Sequence, residues 1–101
     1  MYLSDDKKQS YIDTIKSCLS QFSEVKKVII FGSFSTTNTP NDIDIAVIQN
    51  SKENFLTLSL RYRKVLRDIA KTIPIDIIPI GYDAKGEFLN EITQGQVVYE
   101  R

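Results

Sequence analysis

Three short runs rich in β-branched residues, VKKVIIF at 25–31, DIDIAVI at 42–48 and IDIIPI at 75–80, constrain this chain most tightly. Each is too short for a buried helix and carries turn chemistry at a border, Gly32 after the first and Pro74 before the third, so each predicts a strand. Ahead of them, Ile12, Ile15, Leu19 and Phe22 repeat at helical spacing, Tyr11 and Cys18 widen the stripe, and Ser4 or Asp5 is placed to cap the helix. Residues 51–72 predict the longest helix, with Phe55, Leu58, Tyr62, Val65, Leu66, Ile69 and Ile73 as its apolar face and Pro74 as its stop. Residues 32–41 read as a polar loop. Asp83 is placed to cap a short helix carrying Phe88, Leu89 and Ile92, which Gly95 ends, and 96–99 predicts a last strand. Pro79 marks the third strand as an edge or a strand end. The expected fold class is α/β (α+β), a small mixed sheet with helices packed on one face.

A chain of 101 residues supports one hydrophobic core and is too short for two, so 1–101 reads as a single domain. Thirteen Lys plus Arg balance thirteen Asp plus Glu, which argues against nucleic acid as a direct substrate held by overall charge. The absence of histidine removes imidazole bases, His-based triads and His zinc sites. A single cysteine, Cys18, excludes an internal disulfide and reads as a small core-facing helix residue. No apolar run approaches the length of a membrane span, and the acidic start is unlike a signal peptide, so a cytoplasmic setting is expected. Chemistry in such a chain has to run on carboxylates, hydroxyls, backbone amides and borrowed metal ions.

Asp42-Ile43-Asp44 opens the second strand and Asp76 stands one residue into the third. Residues i and i+2 of a strand share a face, about 6.5–7 Å apart. Asp42 and Asp44 therefore point one way with Ala46 and Ile48 behind them, while Ile43, Ile45 and Val47 face the other way. Asp76 shares its face with Ile78 and Ile80. If the two strands are neighbours, three carboxylates converge, an arrangement that is costly without a cation. Hard Mg²⁺ takes oxygen ligands and retains phosphate partners. Two such ions about 3.5–4 Å apart clamp the attacking and leaving oxygens of a phosphoryl transfer. Gly32-Ser33 suits the other half of such a site, since glycine lets backbone approach a phosphate and Ser33 offers a hydroxyl and an N–H. Taken singly, each feature has a plainer reading: acids flank many strands, Gly-Ser is ordinary turn chemistry, and Asp76 reads as a solvated strand residue.

In combination and in this order, Gly32-Ser33, Asp42-x-Asp44 and Asp76 within IDIIPI, the chain resembles the minimal nucleotidyltransferases (MNT) of the DNA polymerase β superfamily. The resemblance extends over essentially the whole chain and implies a nucleotidyltransferase fold like the polymerase β palm. It implies that Gly32 and Ser33 hold the triphosphate, that Asp42 and Asp44 bind both Mg²⁺ ions, and that Asp76 completes the metal site and helps deprotonate the attacking hydroxyl. The implied reaction moves a nucleoside monophosphate, AMP from ATP, to a hydroxyl and releases pyrophosphate. Members of this kind are often encoded beside a helical HEPN-domain toxin whose tyrosine is the acceptor, which implies an antitoxin role and a hetero-oligomer, with a homodimer at its heart as one arrangement. The alternative is an antitoxin that neutralises its partner by binding alone. The chain departs from the family in its spacing, with eight residues (34–41) before the first Asp where ten are common, and in carrying Phe34 where an Arg is frequent.

Other features are less specific. Arg61, Arg63, Lys64, Arg67 and Lys71 read as a solvated helix face or, alternatively, as a surface for an acidic partner or the polyphosphate. Phe55, Tyr62 and Phe88 fit helical core spacing, and Tyr2, Tyr82 and Tyr99 read as exposed.

Overall fold

All three β-branched runs are strands in the structure, a computed structural model that describes residues 2–83, 92 and 94–101. They are β1 (Val25–Phe31), β2 (Ile43–Gln49) and β3 (Ile75–Gly81), joined by β4 (Gln96–Glu100). The sheet order is β3-β2-β1-β4, with β1 antiparallel to both β2 and β4, and β2 parallel to β3. A parallel pair needs a crossover, and the helical segment between β2 and β3 supplies it. Pro79 sits on edge strand β3, where a missing N–H costs no ladder bond toward a further strand.

Helix α1 (Asp5–Leu19) starts where the Ser4 hydroxyl accepts the Lys7 N–H at 3.1 Å, with Asp5 and Asp6 in the first turn. That placement sets negative charge at the positive end of the helix dipole. Its Tyr11, Ile12, Ile15 and Leu19 are buried, whereas Cys18 is only half-buried, and Phe22 lies beyond the helix end with its ring edge-on to Tyr62 at 5.3 Å.

The segment expected as one long helix is broken. Helix α3 (Phe55–Val65) and α4 (Arg67–Ala70) meet at Leu66, whose N–H reaches back only three residues to the Arg63 carbonyl. The break lets Leu66, Ile69 and Ile73 all enter the core. Phe55, expected in the apolar face, is 59 % exposed. Residues 32–41 are likewise not simply a loop. A helical turn, α2 (Ser33–Thr36), buries Phe34 completely against Tyr11, ring edge to ring face at 6.4 Å.

Strand alternation divides the apolar residues as period 2 requires. Val28, Ile30, Ile43, Ile45, Val47, Ile75 and Ile77 pack with α1, α3 and α4 in the main core. Ile29, Ala46 and Ile92 form a smaller cluster on the opposite face, with Phe31, Ile48 and Ile80 against it. Of the expected short helix after Asp83, Ile92 is buried and the Gly95 N–H reaches the Ile92 carbonyl at 2.9 Å; Phe88 and Leu89 lie outside the described residues. Among the described residues no helix is long and apolar enough to cross a membrane.

Candidate metal and nucleotide site

Strand directions bring the candidate residues to one end of the sheet. Because β2 and β3 run parallel and in register, Asp44 stands directly beside Asp76, and the Ile43 N–H donating to the Pro74 carbonyl at 2.9 Å holds that register where the strands begin. Antiparallel pairing would have sent Asp76 toward the far end, beside Ile48 and roughly 14 Å away. Asp42 sits just before β2, and oxygens of Asp42, Asp44 and Asp76 all lie within 4.8 Å of one another, the first two acids half-buried and the third exposed. Behind them on the same face lie Ala46 and Ile48 in the minor cluster.

Strand β1 runs antiparallel to β2, so its C-terminal end lies beside the same acids: Phe31 pairs with Asp44 and Gly32 follows at once. Gly32 has φ 75° and ψ −155°, a region essentially confined to glycine. A Cβ there would also run into the Asp44 carboxylate. Glycine is thus required twice, by backbone conformation and by close approach. The Ser35 N–H and hydroxyl both donate to the Gly32 carbonyl, at 3.2 and 3.0 Å, and the Thr37 N–H donates to the Ser33 carbonyl at 3.0 Å, which tightens the turn that Ser33 opens.

Electrostatics mark Asp44 as the centre of the cluster. Partial burial pushes its carboxyl above the ordinary carboxylate value, the negative charges of Asp42 and Asp76 add to the rise, and a hydrogen bond with Asp76 adds further. The donor set is all oxygen and anionic, and it gains charge stability from a hard divalent cation, so the residues present fit Mg²⁺.

Beside Gly32 lies a cleft of about 310 Å³ lined by Phe31, Gly32, Ser35, Thr36, Gln94 and Gly95. Gly95 is another forced position, because a Cβ on it would strike the Ile30 carbonyl and Phe31. Sequence reasoning took Gly95 as a helix stop and did not single out Ser35, Thr36 or Gln94. A second glycine next to polar residues just before a strand is the signal that was available.

The profile of the polymerase beta nucleotidyltransferase family matches residues 13–101. The chain belongs to that family. No curated protein matches the sequence significantly. Among solved structures, the family fold recurs in a complex described as a tri-AMPylated Shewanella oneidensis HEPN toxin with MNT antitoxin, at 19 % identity and TM-score 0.65, over 93 % of this chain and 73 % of that one. It recurs in a mutant MntA-HpeT toxin–antitoxin complex at 19 % identity and TM-score 0.67, over 89 % and 73 % of the respective chains. It recurs again in a candidate nucleotidyltransferase from Sulfolobus solfataricus at 18 % identity and TM-score 0.59, over 92 % and 86 %. At these identities the likeness is one of fold, the mixed sheet with its helices.

Proposed function

We propose that residues 1–101 act as one nucleotidyltransferase unit that moves a nucleoside monophosphate, AMP from ATP, onto a hydroxyl of a helical HEPN-type partner protein and thereby serves as its antitoxin. The observation that carries this reading is the Asp44–Asp76 register beside Gly32 in a member of the polymerase beta nucleotidyltransferase family. The AMPylated HEPN toxin–MNT antitoxin complex with the same fold supports the partner and the nucleotide, and the MntA-HpeT complex supports a toxin–antitoxin pairing.

Asp42, Asp44 and Asp76 would hold Mg²⁺, which when bound neutralises charge on the phosphates and on the oxygens that attack and leave. Gly32, having no side chain, lets the turn approach the triphosphate, and Ser33 binds it through its hydroxyl. The acceptor oxygen forms a bond to the α-phosphorus, the α–β anhydride bond breaks, pyrophosphate leaves, and the hydroxyl proton passes to the Asp76 carboxylate. Asp76 suits that role because it is the exposed member of the trio. No histidine is needed.

Incubation with ATP labelled at the α-phosphate, Mg²⁺ and the partner protein tests the reading. Wild type transfers label to the partner and Asp44→Asn does not. Inhibition of the partner that survives Asp44→Asn, with no label transferred by either form, replaces the enzyme with an antitoxin that acts by binding alone.

A further inference from the structure

Helix α3 is apolar around more of its circumference than its own domain covers. Leu58, Ser59 and Tyr62 are buried and Val65 is half-buried on its inner side. Leu56 and Leu60, one helical turn apart, fall on the opposite side of the wheel. They are 66 % and 58 % exposed, and Phe55 at the start of the helix is exposed as well. Six large hydrophobic side chains are exposed among the described residues, and of the three on α3 Leu56 and Leu60 share one face.

The same outer face turns basic in its next turns. Arg63 and Lys64 follow Leu60 by three and four residues, and Arg67, past the break at Leu66, lines one surface hollow with Lys64; all three are exposed. Among the described residues none of the three has an ion pair. Arg61, on the flank, is held by Glu24 and Glu53, and Lys71 meets Asp68 at 3.7 Å. Helix α3 contains no acid of its own.

We propose that this face docks a helix of the partner protein, whose apolar side chains cover Leu56 and Leu60 and whose Asp or Glu side chains meet Arg63, Lys64 and Arg67. The inference rests on the partner reading above and names the surface that reading leaves open. Charge favours a partner over a second copy: α3 offers no carboxylate of its own to Arg63 and Lys64, and the acids that flank this face, Glu53 and Asp68, are already engaged by Arg61 and Lys71. Helix α3 contributes to the main core, on the sheet face opposite the one Asp44 shares with Ala46 and Ile48. Docking there leaves the three acids uncovered, so the acceptor hydroxyl arrives on another part of the partner or on a second partner molecule.

Titration calorimetry of this chain with the purified HEPN-type protein of the neighbouring gene tests the surface. Two variants are compared, Leu56→Ser with Leu60→Ser and Arg63→Glu with Lys64→Glu. Each weakens binding by roughly tenfold or more, as loss of central anchors does, while the rise in Tm on adding Mg²⁺ stays as in wild type. Binding by wild type also weakens with salt, and less so in the charge-reversed variant. Variants that bind as tightly as wild type overturn the surface and leave the partner reading standing. Wild type that self-associates through Leu56 and Leu60 overturns it in favour of a second copy. Wild type that does not bind this protein overturns the partner reading and this surface with it.

Discussion

Replacing Asp44 with asparagine preserves side-chain size and removes the charge common to two of the three carboxylate pairs in the cluster. Within the 4.8 Å that separates these oxygens, one pair of unit charges repels by roughly 1 kcal/mol in bulk water and roughly 3 kcal/mol at an effective dielectric constant of 20. Asp76 is exposed and Asp42 and Asp44 only half-buried, so solvent and salt hold each pair near the lower figure, about 1 kcal/mol. Asp44→Asn therefore stabilises the metal-free protein by about 1–2 kcal/mol, a rise in Tm of about 5–10 °C for a domain of this size. Saturating Mg²⁺ raises the Tm of wild type, by about 2.7 kcal/mol of stabilisation at one hundred times Kd, and raises that of the variant little or not at all.

The same cluster imposes a pH dependence with a definite sign. Asp44 in the folded state holds its proton above the ordinary carboxylate value. Between that ordinary value and the raised one, the native state binds more protons than the unfolded state. Stability of metal-free wild type consequently falls as pH rises through the raised value, and Asp44→Asn lacks that share of the slope. Differential scanning calorimetry of both proteins with and without Mg²⁺, across the acidic range, measures all of this. A metal-free Asp44→Asn with a Tm equal to or below that of wild type, or an unchanged pH slope, would refute the repulsion argument.

Three further substitutions probe the framework of the site and the core. Gly32→Ala combines a backbone conformation that costs about 1–3 kcal/mol for a residue with a side chain with displacement of the Asp44 carboxylate; urea denaturation should show a lowered midpoint and calorimetry a lost Mg²⁺ response. Phe34→Ala empties a fully buried position under the same turn and should cost about 3–5 kcal/mol, read as a lower midpoint or as loss of the cooperative transition. Tyr62→Phe removes a hydroxyl that donates to Glu24 at 2.9 Å and should cost about 1–2 kcal/mol by denaturation. In the wild type, burial and the neighbouring Glu24 charge push the Tyr62 phenol well above its ordinary range, so ultraviolet titration should show one tyrosine still protonated when the exposed ones have ionised.

What the linear order of residues determines here is whatever rests on local geometry. Period 2 in DIDIAVI and IDIIPI places Asp42 and Asp44 on one face and Ile43, Ile45 and Val47 on the other, and that division between two apolar clusters is the one observed. Ser4, Gly32 and Pro79 each announce a local constraint, a cap, a turn and an edge, because capping, positive φ and a missing N–H act within a few residues. Long-range geometry decided the rest. Only the parallel register sets Asp76 beside Asp44, and only the antiparallel return of β1 brings Gly32 so close to the Asp44 carboxylate that a side chain there would displace it. Tertiary packing also broke the crossover at Leu66, drew Phe34 out of a polar loop into the core, and left Phe55, Leu56 and Leu60 uncovered. Helical periodicity specifies that residues share a stripe, but which stripe is buried depends on where each turn lands against the sheet. Three unremarkable aspartates thus become one anionic cluster only when strands from distant parts of the chain share a register.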